Sequence, residues 1–347
     1  MSIFDIMQSA QLTAYWEELT QDEAPYPCEE LFPDNKKRGL SLQWIKGSRG
    51  LPVVLKTSAF DAFAVPRPRI GFEKLTAEMP YFKESTYIDE ELRQELNLVL
   101  ETGNQAYIDS VVNRVFDDEM NLLRGAAAAR ERMRMMALTT GVVSMAANGQ
   151  AFSFDYGIPA AHKVETETSW SDHAASDPIE DMRALKEKIL DDTGVEVTRA
   201  MCDGITWRHI RNNAKIAKTI FVLSNGQASV NDNRLRSYIL EEVGIDVMVN
   251  DKRYVDEKGN TVKYMPADTF VMFPAGDLGS TWFGTTPAES DLMGGSAANV
   301  SITDTGVAVT TVQKTDPVNV ETIVSMICLP SFEAADQIGI IDTAASD

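Results

Sequence analysis

Gln105 to Ala137 carries one continuous helical pattern, and it constrains this chain more than any other feature. At 1.5 Å per residue such a helix runs on the order of 50 Å, longer than one compact domain needs to cover its own core. It is therefore expected to act as a spine that ties separate regions together. Ile108, Val111, Val112 and Val115 fall at helical spacing and continue into Met120, Leu123 and Ala127, which predicts one apolar stripe facing protein. Asp109, Arg114, Asp117, Asp118 and Glu131 are assigned to the opposite, solvated face. A long helix in a bundle has the same signature, but the strand-rich flanks argue against a bundle.

With 347 residues, 44% of them hydrophobic, the chain can bury a real core, and its length suggests about two domains. No stretch approaches the roughly 18 apolar residues of a membrane span. The start, MSIFDIMQ, lacks the basic-then-apolar order of a signal peptide, so the chain is expected in the cytosol. Cys28, Cys202 and Cys328 are far apart and without C-x-x-C spacing, which predicts neither disulfides nor zinc but small buried apolar residues. A formal net charge of −20 argues against a grip on nucleic acid, since phosphate neutralisation needs clustered Lys and Arg. A wall that tolerates or repels DNA fits better.

Motifs for chemistry are missing from the pattern. His162, His173 and His209 share no metal-ligand spacing with one another or with the cysteines. Gly294-Gly295 has neither the Lys of a phosphate loop nor the order of a dinucleotide turn. Asp117-Asp118 and Asp191-Asp192 are adjacent on helices and point about 100° apart, so they read as solvated faces rather than acid/base pairs. No G-x-S-x-G elbow occurs. No catalytic, cofactor-binding or metal residue is expected, and the chain is not read as an enzyme.

Along the chain, Leu12, Tyr15, Trp16 and Leu19 mark a short amphipathic helix. The run QDEAPYPCEELFPDNKK follows, in which Pro25, Pro27 and Pro33 remove donors and favour extended backbone, as in an arm laid across something else or a free tail. Arg38 to Lys46 and Leu51 to Thr57 flank Gly47-Ser48-Arg49-Gly50 and suggest a hairpin. SAFDAFAVPRPRIGF combines Phe60 and Phe63 with Pro66, Arg67, Pro68 and Arg69, a composition suited to a projecting loop. Apolar and basic groups on such a loop find matching surface on an acidic copy of the same chain. Leu12, Tyr15, Trp16, Phe60, Phe63, Pro66, Arg67, Pro68 and Arg69 are accordingly the candidates for contact between subunits, with a folded-back surface loop as the alternative.

Beyond the spine, Asn148-Gly149 between Val142 to Met145 and Gln150 to Asp155 is a two-residue hairpin signal. A linker, Ile158 to Ser176, leads to Asp177-Pro178-Ile179-Glu180, where Asp caps, Pro takes the first turn and Glu can close a capping box. That helix is expected to end at Gly194, with Ile179, Met182, Leu185 and Ile189 inward. A strand over Val195 to Met201 follows. A helix from Asp203 then turns Trp207, Ile210, Ala214 and Ala217 inward. Next come a short strand at Ile220 to Leu223, a helix at Asn233 to Val243, and strands at Ile245 to Val249 and Thr269 to Phe273. The end returns to strands at Asn299 to Thr303, Gly306 to Gln313 and Val318 to Leu329, so it is expected to rejoin the beginning around an inserted α/β domain.

In YMPADTFVMFPAGDLGSTWFG, Tyr264, Pro266, Thr269, Val271, Gly279, Phe283 and Gly284 keep a spaced pattern of aromatic, Pro, Thr, Val and Gly. Asp316-Pro317 with Thr322, Leu329, Asp336 and Ile338 to Ile341 forms a second, and Trp170-Ser171 and Asp203 with Trp207 agree more weakly. In these residues and in its order of parts the chain resembles the lambda-type phage major capsid proteins, the phage capsid protein E family. The resemblance implies an α+β, Hong Kong 97-type capsid fold with an N-terminal arm (1–37), an extended β loop and flanking strands (38–90), a peripheral β domain with the long spine helix (91–173), an inserted axial α/β domain (174–292) and peripheral return strands (293–347). It implies self-assembly into pentamers and hexamers of an icosahedral head around double-stranded DNA, bound without sequence specificity and without membrane.

A scaffold protein, a portal and a decoration protein are partners the resemblance brings with it, and its site is the virion, assembled in host cytoplasm. The segment ahead of residue 105 is used up by arm and loop, so a fused scaffold is not expected, and no motif identifies a crosslinking pair. An encapsulin-like compartment built on the same fold and a soluble α/β enzyme stay open as alternatives.

Overall fold

The computed structural model describes residues 8–21, 24–46, 73–88, 90, 94, 98, 105–223, 230–293, 298–315 and 318–344. Its elements, in chain order, are α1 (Ser9–Thr20), β1 (Asp34–Lys36), β2 (Ser41–Lys46), β3 (Glu73–Glu78), β4 (Tyr81–Ile88), α2 (Gln105–Thr140), β5 (Val142–Ala147), β6 (Gln150–Asp155), β7 (Lys163–Glu165), α3 (Pro178–Thr193), β8 (Arg199–Cys202), α4 (Gly204–Asn212), α5 (Ala214–Leu223), α6 (Asp232–Glu242), β9 (Asp246–Val249), β10 (Arg253–Val255), β11 (Thr261–Lys263), β12 (Thr269–Phe273), β13 (Ser280–Phe283), β14 (Asn299–Thr303), β15 (Val307–Thr315), β16 (Val318–Ser331) and β17 (Gly339–Asp342). The spine is present as α2, 36 residues long, which at 1.5 Å per residue spans about 54 Å. The chain divides into two units. One comprises Met1–Leu42, Ala77–Arg134 and Ser280–Ser331, the other Gln43–Thr76, Met135–Gly279 and Phe332–Asp347, so α2 passes from the first to the second after Arg134.

The first unit is built on a six-stranded sheet in the order β1-β13-β16-β15-β14, with β4 also paired to β16. β16 is the hub. It runs antiparallel to β15 from Val318 to Ser325, to β4 from Val320 to Ile327 and to β13 from Cys328 to Ser331. The expected return of the end to the beginning is thus a set of backbone hydrogen bonds between residues 81–88 and 320–327, completed by β1 lying parallel to β13. α1 lies along β14 and β15, where Ser9 Oγ meets Asn299 Oδ1 and Ser301 Oγ, both at 2.9 Å.

The second unit holds a five-stranded sheet, β7-β17-β12-β8-β9, with parallel pairs at both ends and antiparallel pairs between. Its core gathers Met182, Leu185 and Ile189 of α3, Trp207 and Ile210 of α4, Leu235 and Ile239 of α6, and Phe270, Met272 and Ile341 from the strands. Trp170 is fully buried beside Phe270, ring centroids 5.4 Å apart, and its Nε1 donates to Asp181 at 2.8 Å. Asp177 caps α3 by accepting from Glu180 N, Pro178 opens it and Gly194 ends it, as the spacing predicts. Glu180 pairs with Arg183 at 3.0 Å. The hairpin at Asn148-Gly149 pairs β5 with β6, both turn residues taking positive φ, 52° and 74°.

Several expectations are corrected. The linker at Ile158 to Ser176 contains an edge strand, β7, which pairs in parallel with β17. Strand Val195 to Met201 begins only at Arg199. The helix from Asp203 breaks at Asn213, whose Oδ1 accepts from the amides of Lys215 (3.0 Å) and Ile216 (3.2 Å) and so caps a second helix. The inward face is thereby rephased. Trp207, Ile210, Ile216 and Ile220 are buried while Ala214 is exposed, and Ile220 to Leu223 is helix rather than strand. The apolar Ile338 to Ile341 belongs to the second unit's sheet through β17. β2 finds its partner in β3, whereas the expected partner Leu51 to Thr57, with its turn, lies outside the described residues.

Gly284 closes the first resemblance motif. A Cβ there would stand 2.8 Å from Ile327 Cγ2 and 2.9 Å from the Gly39 carbonyl oxygen, which as backbone cannot yield. Gly284→Ala is expected to destabilise the subunit by about 1–3 kcal/mol, read from denaturant unfolding of the unassembled chain.

Candidate functional site

The most concentrated chemistry in the first unit is a set of charges inside the protein, on the last turns of α2 before Met135. Glu119, Arg130, Glu131 and Arg134 are 3%, 4%, 0% and 1% exposed. Glu131, expected on the solvated face, is therefore wholly buried. Its surroundings come from residues that the helix pattern cannot reveal. The Cys28 amide donates to Glu131 Oε1 at 3.2 Å. Arg134 donates from Nε to Thr281 Oγ1 at 2.8 Å and pairs closely with Asp34, while Glu29 and Glu131 stand 3.8 and 3.9 Å from its NH1. Thr281 Oγ1 in turn donates a hydrogen bond to the Phe32 carbonyl at 3.0 Å.

Arg130 forms the second half. It pairs with Asp304 at 2.8 Å and lies over the Phe283 ring, 5.7 Å from its centroid. Asp304 sits in the β14–β15 turn at φ 43° and also accepts from Trp16 Nε1 at 3.1 Å. Two arginines four positions apart thus bind three chain segments: Arg134 holds residues 28–34 and Thr281 of β13, and Arg130 holds the turn on which α1 is anchored.

One guanidinium facing Asp34, Glu29 and Glu131 cannot neutralise all three. Burial, opposed by Arg134, pushes the Glu131 carboxyl up to about 7, and Asp34 is raised for the same reasons. Among the described residues Glu131 Oε2 and Arg134 NH1 have no hydrogen-bond partner. Because the folded pKa of Glu131 exceeds its ordinary value of 4.5, the stabilising form is the protonated one. Its contribution is complete below about pH 4.5 and is lost as pH rises through 7, an effect of order 3 kcal/mol. Glu131→Gln is expected to flatten the fall in stability between pH 5 and 8, measured by urea unfolding at each pH. Arg134→Met leaves buried carboxylates uncompensated and is expected to cost about 3–5 kcal/mol.

Of the contact candidates, Leu12 and Trp16 are buried in their own subunit at 0% and 4% exposure. Tyr15 is half-buried, its ring 5.4 Å from Phe116 and its hydroxyl donating to Asp117 at 3.0 Å. The apolar stripe of α1 is thus used at home. Phe60, Phe63, Pro66, Arg67, Pro68 and Arg69 lie outside the described residues, as does Asp316-Pro317. Cys28, Cys202 and Cys328 are free and buried, with thiols raised by burial. His173 and His209, unrelated by spacing, meet at 3.1 Å. Asp203 caps α4 through the Thr206 amide at 2.8 Å and holds Lys263 at 2.9 Å, which gives the Asp203/Trp207 motif a structural role. Among the described residues no helix is long and apolar enough to cross a membrane.

The profile of the phage major capsid protein E family matches residues 8–340. The fold is similar to that of a putative prophage capsid protein from E. coli CFT073, at 15% identity and TM-score 0.61 over 97% of this chain and 99% of that one. A phage-related protein from Bordetella bronchiseptica RB50 superposes at TM-score 0.58 and 15% identity, covering 96% and 97%. The capsid of cyanophage A-1(L) does so at 0.54 and 12%, covering 92% and 93%. No curated protein sequence matches. The chain belongs to the phage major capsid protein E family, and its fold is the Hong Kong 97-type capsid fold.

Proposed function

We propose that the chain is the wall subunit of a tailed-phage head, associating with its own copies into the pentamers and hexamers of a closed icosahedral shell around double-stranded DNA. The family match across residues 8–340 is the observation that carries this reading. A formal charge of −20 supports a lining that holds DNA without gripping it, since tight phosphate binding would oppose packaging and release. The chain acts as a structural wall and not as a catalyst. Its finished location is the virion, reached by assembly in the host cytoplasm on a separate scaffold, with a portal at one vertex and a decoration protein as an outer clamp.

Within the subunit, residues 1–37 serve as the arm, 38–90 as the extended loop with its strands, 91–173 and 293–347 as the peripheral domain, apart from β17, which pairs with β12, and 174–292 as the axial domain. Leu12, Tyr15 and Trp16 anchor the arm on its own subunit, so contact with the neighbour falls to Phe60, Phe63, Pro66, Arg67, Pro68 and Arg69. Their basic and apolar character complements an acidic copy. Sedimentation velocity tests this division. The full chain is expected to form large closed particles, whereas a chain lacking Ser58 to Phe72 is expected to stay folded by circular dichroism yet sediment as free subunits or capsomers. Unchanged particles from the deleted chain would refute the assigned role of the loop.

A further inference from the structure

The chain has three histidines. His162 is buried at 1% exposure and meets Asp192 at 3.2 Å, whereas His173 and His209 are both half-exposed. His173, in the loop ahead of α3, brings Nε2 to 3.1 Å from Nδ1 of His209 on α4, with ring centroids 5.4 Å apart and planes inclined by 38°. The two backbones are held together without help from the rings. The Ala214 amide donates to the His173 carbonyl at 2.8 Å, and Asn213 Nδ2 donates to the Ser176 carbonyl and Oγ at 3.1 Å. Lys215 pairs with Asp177 at 3.0 Å.

We propose that His173 and His209 form a two-imidazole site for a divalent transition ion of the zinc, nickel or copper class. Imidazole nitrogen suits these ions, whereas magnesium and calcium favour oxygen. An ion with bonds of about 2.0–2.1 Å holds adjacent nitrogen ligands about 2.9–3.4 Å apart, depending on whether the angle is square or tetrahedral. The observed 3.1 Å lies in that span.

Without metal the facing nitrogens share one proton, the donor ring carrying it toward the acceptor. Entry of the ion requires that ring to give up this proton to solvent and take one on its other nitrogen, so that both facing atoms offer lone pairs. For a neutral pair no net proton is released. Neighbouring carboxylates are engaged elsewhere: Asp172 Oδ1 accepts from the amides of Ala174 and Ala175 at 3.0 and 3.1 Å, and Asp177 holds Lys215. Among the described residues no group of three or more His, Cys, Asp or Glu converges as a metal site, so the two imidazoles are the protein ligands the site offers and water would fill the remaining positions. A bound ion would pin the 172–177 loop to the break between α4 and α5.

The full chain without an affinity tag, titrated with zinc chloride and separately with copper(II), tests the site against magnesium chloride as control. Zinc is expected to raise the thermal midpoint where magnesium does not, and copper(II) to show hyperfine splitting from two nitrogens. His173→Ala and His209→Ala should each weaken zinc binding by at least about tenfold, a ligand mattering no less than an outer-shell partner. His173→Gln and His209→Gln, which keep a hydrogen bond, serve where the alanine variants fail to fold. Zinc affinity unchanged in the variants, or no tighter than magnesium in the parent chain, would overturn the proposal.

Discussion

The first unit depends on β16. One fourteen-residue strand carries β4, β13 and β15, and two of these partners come from separate parts of the chain. Residues 81–88 therefore find their partner in 320–327, far away in sequence. Such non-local pairing delays its reward until a large loop has been closed.

Charge supplies what strands alone do not. Residues 28–36 contribute only the short β1 to the sheet, so their position rests on Arg134 as well as on the burial of Cys28, Leu31 and Phe32. A buried ionic cluster of this kind adds little net stability over a well-packed apolar one, yet it is costly to break on one side. It specifies which segment lies against the spine. Its excess of carboxylate over guanidinium also makes that docking sensitive to the proton on Glu131.

Patterns local in sequence were legible. The spine, the cap-to-glycine span of α3, the Asn148-Gly149 hairpin and the three late strands each follow from periodicity or turn chemistry within a few residues. The misses have a common physical cause, because each depended on a distant partner. Glu131 reads as solvated since charge on a helix face usually is, and its buried carboxylate meets the amide of Cys28, 103 positions away. Asn213 interrupted a plausible helix by capping a new one while its amide bonded Ser176. One signal was available there: a polar residue at the inward phase between Ile210 and Ile216. The His173–His209 meeting is set by tertiary structure across 36 positions and left no trace in spacing.

The family pattern marked turns and packing positions, as the close approach at Gly284 illustrates, so it identified the architecture without naming a contact between subunits. The central claim is that this subunit is completed by copies of itself. Electron cryomicroscopy of particles formed by the full chain tests it most directly. The account predicts closed icosahedral shells in which residues 58–72 of each subunit lie on a neighbouring copy. Discrete small oligomers, with that segment folded against its own subunit, would contradict it.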